Sequence, residues 1–272
     1  MDLINLEYIN RNRDEFRRSF PNATPYPHIA IDNLVLPDRL HELEADFPNE
    51  DSGCWKDVDH EHQKYKLSCS EVDRMPSTLR QLILELNSGP FINWLEDISG
   101  IPHLLPDPLL VGGGLHATKP GGYLTPHIDF HTIGERPLFR RLNLLLYLNK
   151  DWPEENNGNL EIWDKPSDSI VREIKPLLGN VVLFRTDMDS MHGFSKPVKN
   201  RLRKSVALYY YTATESETFS GDSATHWRVQ SRRPAGGQDW LRLRMQGAFL
   251  FLGRCGNAMA WRSYRMADRF RR

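Results

Sequence analysis

The stretch TPHIDFHTIGERPLFRRLNLLLYLNKDW, Thr125 to Trp152, places metal-binding side chain types directly before an unbroken apolar run. His127 and Asp129 are separated by one residue, so in a strand they point to the same side, about 7 Å apart. The run Leu142–Leu148 has the length and composition of a buried strand. We therefore expect a β-structure whose interior carries polar metal ligands.

Short β-type runs surround this stretch, and glycine-, asparagine- and proline-rich turns separate them, including Pro120-Gly121-Gly122. After Leu104 no helical pattern interrupts these runs, which favours an antiparallel barrel or jelly roll. The predicted strands are His28–Ile31, Leu109–Thr118, Tyr123–His131, Leu142–Leu148, Asn159–Trp163, Ile170–Ile174, Val181–Arg185 and Arg203–Thr212.

Helical patterns occupy the two ends of the chain. The predicted helices are Asp2–Phe20, a helix beginning at about Pro37, Ser77–Asn87, Pro90–Ile98 and a C-terminal pattern from about Asp239. The predicted fold is mainly β with helical support: a jelly-roll core, N-terminal helices and a helical C-terminal tail. We divide the chain into a helix-braced β domain, 1–221, with its core at about 104–213, and an extension, 222–272.

Composition excludes several classes of protein. Hydrophobic residues make up 39% and aromatic residues 10% of the chain, enough for a core and too many for a disordered protein. The three cysteines are widely spaced and form no CxxC pair, so we expect neither a disulfide framework nor a zinc knuckle. No apolar run is long enough for a signal peptide or a membrane span. We expect a cytoplasmic protein in a reducing compartment.

Charge is distributed unevenly along the chain. Residues 222–272 contain eleven arginines and three aspartates without lysine or glutamate, a net charge of +8, whereas the whole chain carries −1. Such a segment suits a docking surface for an acidic partner or for a second copy of the chain. It lacks the ordered aromatic residues of a groove that binds single-stranded nucleic acid, so no nucleic-acid partner is expected.

A third metal ligand and a fixed cation come from MHGFSKPVKNRLRKSVALYYYT, residues 191–212. His192 precedes a predicted strand in which Arg203, Ser205, Ala207 and Tyr209 share one face. An arginine beside small inward-facing residues would line a cavity suited to a carboxylate. Two histidines and one carboxylate with open positions are typical of non-haem Fe(II) oxygenases.

At this point the chain resembles the Fe(II)/2-oxoglutarate-dependent dioxygenases, in their prolyl 4-hydroxylase-like branch. The matching stretches are PGGYLTPHID, LLLYLNKDW followed by GNLEIW, GNVVLF and the 191–212 segment. The resemblance implies a double-stranded β-helix that uses Fe(II), 2-oxoglutarate and O2, with ascorbate as a stimulant. It implies hydroxylation of an unactivated C–H bond in a small-molecule, amino-acid or peptidyl substrate, with release of succinate and CO2. The positions that match the family's metal ligands are His127, Asp129 and His192, and those that match its contacts to the distal carboxylate of 2-oxoglutarate are Arg203 and Tyr147.

Several alternatives stay open. Arg201 would point to the same face of a strand as Arg203, so it could bind the cosubstrate instead. His131 shares the predicted face of His127 and Asp129, so it could be a metal ligand. We expect His131, His116, Thr118 and Tyr123 to lie behind the ligands or near the substrate. The segment Asp51–Tyr65 should rim the mouth of the site, although its Trp55, His60 and His62 fit a solvated loop better. The alternative functions are a non-catalytic 2-oxoglutarate and metal sensor, and a zinc hydrolase, for which no HExxH motif is present.

Overall fold

The computed structural model describes residues 2–133, 138–214 and 225–228. Within them the predicted helix Asp2–Phe20 is two helices, because the backbone leaves the helical conformation at Asn12. The predicted tail helix from Asp239 lies outside the described residues. The helices are α1 Leu6–Arg11, α2 Arg13–Asn22, α3 Pro37–Ala45, α4 Ser77–Leu86 and α5 Gly89–Ser99.

The strands of the described residues all pair antiparallel. Most follow the order β1-β9-β6-β11-β5-β10-β7-β8, while β3 and β12 also pair with β5. The sheet curls into a nearly closed, jelly-roll-like barrel, which confirms the predicted fold class. The strands are β1 His28–Ile31, β2 Lys56–Asp57, β3 Gln63–Cys69, β4 Leu105–Pro106, β5 Gly114–Ile128, β6 Phe139–Tyr147, β7 Leu160–Asp164, β8 Ser169–Ile174, β9 Val181–Arg185, β10 His192–Phe194, β11 Arg203–Thr212 and β12 His226–Trp227.

Strand β5 joins the two halves of the barrel. Its first half pairs with β11, and its second half pairs with β10. The predicted turn at Pro120-Gly121-Gly122 is a bend inside this one strand rather than a chain reversal. Gly121 has a φ of +87°, and a Cβ on Gly122 would lie 2.6 Å from the carbonyl oxygen of Lys64. Glycine therefore lets the strand bend from its pairing with β11 to its pairing with β10 within the same sheet.

The two faces of β6 have different neighbours. Leu142, Leu144 and Leu146 belong to one hydrophobic core that also contains the buried faces of the N-terminal helices. The alternate residues Asn143, Leu145 and Tyr147 line a cavity inside the barrel. The helical layer therefore covers the outer face of the barrel and leaves its interior free for a site. None of the helices in the described part of the chain has the length and hydropathy needed to span a lipid bilayer.

Candidate metal centre and cosubstrate cavity

Three buried side chains converge inside the barrel: His127, Asp129 and His192. One potential ligand atom from each lies within 4.8 Å of the other two. His192 opens β10 directly opposite His127 of β5, and their ring centroids are 4.5 Å apart. The Asp129 carboxylate lies 3.3 Å from Nε2 of His127 and 3.8 Å from Nε2 of His192.

Hydrogen bonds to the backbone orient both imidazoles. Nδ1 of His127 lies 3.0 Å from the Thr125 carbonyl, and Nδ1 of His192 lies 2.9 Å from the Ser190 carbonyl. Because a carbonyl only accepts, each Nδ1 carries the hydrogen and each Nε2 turns a lone pair toward Asp129. Three electron-pair donors that face one another without a proton between them form an arrangement that a cation would bridge.

The electrostatics of the cluster favour the protonation states that bind metal. Burial, followed by the charge of His127, lowers the pKa of His192 to about 4. Burial alone would raise the pKa of Asp129, but the interactions with His127, His192 and Arg140 outweigh it and hold that pKa well below its usual range. At neutral pH the cluster therefore offers a neutral His192 and a carboxylate.

Arg140 also belongs to this centre, although the alternation of side chains along β6 predicts that it points away from it. Counting alternate residues places it with Leu142 on the outer face of β6, away from Asp129. The β6–β11 register shifts between Arg140 and Leu142, and this bulge turns Arg140 inward. Its guanidinium is sandwiched between the rings of Phe130 and Tyr209, at 3.7 and 3.5 Å from their centroids.

A cavity of about 260 Å³ extends from the three clustered side chains to Arg203 and Tyr147. The buried Arg203 donates from Nε to the Gly158 carbonyl at 2.7 Å, and its guanidinium carbon lies 4.3 Å from the centroid of the Phe194 ring. The buried hydroxyl of Tyr147 forms no hydrogen bond with the described residues. Burial raises the pKa of Tyr147, so this hydroxyl remains a donor at neutral pH.

The structure separates the two candidate arginines. Arg201 lies outside the cavity, where its guanidinium donates to the carbonyls of Lys150 and Asp151 at 2.9 Å. Arg203 has no carboxylate partner among the described residues, and its guanidinium carbon lies 4.9 Å from the centroid of the Tyr147 ring, so the two side chains are neighbours in the cavity. Alternation along a strand could not choose between the two arginines, because both would point to the same face. In the structure β11 begins at Arg203, so Arg201 precedes the strand.

The remaining predicted residues divide into two groups. His116 and Thr118 line the cavity. Tyr123 and His131 are not among its lining residues: the Tyr123 hydroxyl donates to the Glu61 carbonyl, and His131 hydrogen-bonds to the backbone of Asp187.

Aromatic rings from two distant segments of the chain lie at the mouth of the cavity. His60, from the segment expected to rim the mouth, is exposed and also lines the cavity, whereas Trp55 packs against Phe47. Trp227, from the segment assigned to the C-terminal extension, lies 4.9 Å from the His127 ring and stacks on His62 at 4.9 Å. The pairing of β12 with β5 brings it there, a long-range contact that no local pattern indicates.

Comparisons with known proteins agree with this geometry. Residues 113–211 match the 2OG-Fe(II) oxygenase superfamily. A Pseudomonas putida prolyl-4-hydroxylase shares the fold with a TM-score of 0.51 at 16% identity, over 72% of this chain and 98% of that one. A Trichoplax adhaerens prolyl hydroxylase, solved with a hypoxia inducible factor peptide, has a TM-score of 0.50 at 13% identity, over 76% and 93%. Prolyl 4-hydroxylases from Phytophthora capsici have a TM-score of 0.52 at 16% identity, over 82% of this chain and 70% of that one. No curated protein sequence matches the chain.

The residues present fit the Fe(II) ion and the 2-oxoglutarate that oxygenases of this superfamily use together with O2. Two imidazole nitrogens and one carboxylate are the donor set of non-haem Fe(II) sites. The unpaired Tyr147 hydroxyl and the cation of Arg203 suit the distal carboxylate of the cosubstrate. The His-Asp-His cluster therefore fits the metal ion, and Arg203 with Tyr147 fits the cosubstrate.

Proposed function

Because the chain carries a 2OG-Fe(II) oxygenase domain, we propose that it hydroxylates an unactivated C–H bond of a small-molecule, amino-acid or peptidyl substrate, releasing succinate and CO2. One observation supports this proposal most directly. One cavity contains both the His-Asp-His cluster and the arginine–tyrosine pair. A dioxygenase needs both groups, because the metal and the distal carboxylate of the cosubstrate must be held at the same time.

In this proposal each residue has a binding or orienting role. His127, Asp129 and His192 hold the iron, and the backbone hydrogen bonds of the two histidines fix the direction of their lone pairs. Arg203 and Tyr147 hold the distal carboxylate of 2-oxoglutarate. Bound iron and cosubstrate together would supply the oxidant that cleaves the substrate C–H bond.

Part of the cavity wall is apolar. Leu145, Leu160 and Phe194 line the cavity, and an apolar wall strengthens the ion pair that Arg203 would form with a carboxylate. A zinc hydrolase would need the His-Asp-His cluster but would have no use for a buried arginine beside a buried tyrosine. A sensor module would bind metal and 2-oxoglutarate without turnover. The proposal favours hydroxylation because the cavity continues past the cluster toward Tyr209 and Trp227, which leaves room for a substrate.

The peptide bound to the Trichoplax enzyme places peptidyl substrates among the classes to test. The assay measures succinate by mass spectrometry with the Fe(II)-loaded full chain, 2-oxoglutarate and ascorbate, against free amino acids, peptides and small metabolites. Substrate-dependent succinate formation that disappears in Arg203→Ala and in the Zn(II)-loaded protein supports the proposal. Binding of 2-oxoglutarate without succinate for any substrate would favour the sensor, and hydrolysis by the Zn(II) form would favour the hydrolase.

A further inference from the structure

Lys66 is a second cation in this cavity with no role in the proposed scheme. It lies on β3, lines the cavity together with Arg203 and is partly buried. Among the described residues no carboxylate lies within ion-pair distance of its ammonium group. The charges that act on it most strongly are those of Asp129 and Arg203, so the ammonium group lies in the field of both side chains.

A bulge in β3 turns Lys66 inward. Gln63 and Lys66 are three residues apart and would face opposite sides of a regular strand, yet both line the cavity. The register with β5 shifts at Tyr65, which is exposed and has a φ of +53°. A β-bulge with this conformation redirects the side chain that follows it.

The bulge depends on the glycines of the β5 bend. A Cβ on Gly121 would lie 3.2 Å from the Tyr65 ring, and one on Gly122 would lie 2.6 Å from the Lys64 carbonyl. A positive φ is unfavourable for a tyrosine and persists only where the surrounding structure imposes it. Two adjoining strands are therefore shaped so that Lys66 points into the cavity.

His116 supplies a hydrogen-bond acceptor on the neighbouring strand. On the inward face of β5 it lies two residues before Thr118, the residue directly opposite Lys66. One ring nitrogen bonds to the backbone of Gly112, while the buried Nε2 forms no hydrogen bond with the described residues. Burial, followed by the charge of Lys66, lowers the pKa of His116 well below its usual value, so Nε2 is a neutral acceptor.

The balance of charge indicates the chemistry of the missing partner. The cations Lys66 and Arg203 line the cavity together with one carboxylate, Asp129, and a third cation, Arg140, lies 3.6 Å from that carboxylate. A divalent metal ion adds two positive charges and dianionic 2-oxoglutarate removes only two, so the loaded site stays positive. A substrate without an anionic group would leave the ammonium of Lys66 desolvated and unpaired.

We propose that Lys66 and His116 form a substrate subsite that binds a carboxylate, with Nε2 of His116 accepting from an N–H or O–H group beside it. The substrate class is then a free carboxylic acid or a C-terminal residue rather than an internal stretch of peptide. This inference rests on the proposed function, because it assigns the distal carboxylate of the cosubstrate to Arg203 and Tyr147.

The test measures how fast each lysine is acetylated in the full chain loaded with Mn(II) and 2-oxoglutarate. Peptide mass spectrometry gives the extent of acetylation at each position. The probes are N-acetylglycine, which has a carboxylate beside an N–H group, and the matched amide N-acetylglycinamide. We expect N-acetylglycine to slow acetylation of Lys66 at least fivefold and the amide to have no effect. Lys64, which lies on the same strand but does not line the cavity, is the internal control and should react equally under all conditions.

Two variants extend the test to binding. Calorimetric titration with N-acetylglycine should show at least tenfold weaker binding for Lys66→Met and unchanged binding for Lys64→Met. Equal protection by the acid and the amide, or protection by neither, overturns the subsite. Protection by 2-oxoglutarate alone, with at least tenfold weaker 2-oxoglutarate binding in Lys66→Met, assigns the carboxylate to the cosubstrate and also overturns it. Protection by N-acetylglycine in a protein that never forms succinate keeps the subsite and rejects the hydroxylase.

Discussion

Nη1 of the fully buried Arg140 lies 3.6 Å from Oδ2 of Asp129, the carboxylate of the proposed metal site. Neither Nη1 nor Nε of this guanidinium forms a hydrogen bond with the described residues. A buried cation with so few hydrogen bonds depends on its counter-charge. The proposed metal ligand therefore also neutralises a cation behind it, and the two effects can be separated in the metal-free protein.

Asp129→Asn should lower the free energy of unfolding of the metal-free protein by about 3–5 kcal/mol, because it leaves Arg140 buried without a carboxylate. The double variant Asp129→Asn/Arg140→Met should recover most of that loss, since the new side chain is apolar. Urea denaturation at pH 7 measures both values. Losses that simply add in the double variant would show that the two residues are not coupled.

Each of His127→Ala, Asp129→Ala and His192→Ala should weaken Mn(II) binding by at least about a hundredfold, because each removes one of three donors. Isothermal titration calorimetry gives the affinities, and Mn(II) avoids oxidation of the sample. His131→Ala is the control and should change the affinity less than tenfold, since His131 lies outside the cluster. Full iron-dependent turnover by Asp129→Ala with His131 intact would make our ligand assignment wrong.

Arg203→Ala should weaken 2-oxoglutarate binding by roughly 2–5 kcal/mol, or about thirty- to several-thousand-fold, because a buried carboxylate loses its cation. Arg201→Ala is the matched control and should stay within about threefold, since its guanidinium binds two carbonyls outside the cavity. Titration of the Mn(II)-loaded variants with 2-oxoglutarate measures the difference. The opposite ranking would transfer the role to Arg201.

Tyr147→Phe should weaken 2-oxoglutarate binding by about 1 kcal/mol, or roughly fivefold, because it removes one hydrogen bond to the distal carboxylate. The same change should leave the stability of the metal-free protein unchanged or higher, since the buried hydroxyl has no partner among the described residues to lose. Titration and urea denaturation test the two parts. A destabilisation above 1 kcal/mol with normal binding would give the hydroxyl a structural role.

Burial lowers the pKa of Lys66 to about 8, with Asp129 opposing and Arg203 reinforcing the shift. The folded protein therefore binds fewer protons than the unfolded chain between about pH 8 and the ordinary lysine pKa of about 10.4, so stability rises with pH across that window. Lys66→Met should remove this rise and stabilise the metal-free protein at pH 7 by roughly 1–3 kcal/mol. Urea denaturation of both proteins from pH 7 to pH 10 gives the difference.

The same shift predicts that N-acetylglycine binds progressively more weakly above about pH 8, because only the charged amine attracts a carboxylate. His116 is already neutral in this range, while Asp129 and Arg203 keep their charges, so Lys66 is the group that titrates. Binding that stays constant from pH 7 to pH 9.5 would exclude Lys66 as the anion-binding group.

Local patterns were sufficient for the β-rich core and for most of its helices. Alternation and apolar runs depend only on neighbouring residues, so strands such as Val181–Arg185 are where the sequence predicts them. The helix beginning at Pro37 follows from the preference of proline for the first helical turn. The spacing of His127 and Asp129 likewise indicated two ligands on one face, and the structure brings them together with His192.

Tertiary structure alone decided the orientation of the basic side chains around the cavity. A side chain changes face when the register shifts by one residue, and two such bulges turn Lys66 and Arg140 inward. A bulge is stabilised by the strands on either side of it, here by glycines of β5 more than fifty residues after Lys66, so alternation within one strand gives the wrong face. The stacking of Trp227 on His62 and the choice of Arg203 over Arg201 also depend on where distant strands meet. The sequence by itself determined which residues could form a metal centre, whereas only the packed sheet decided which charges surround it.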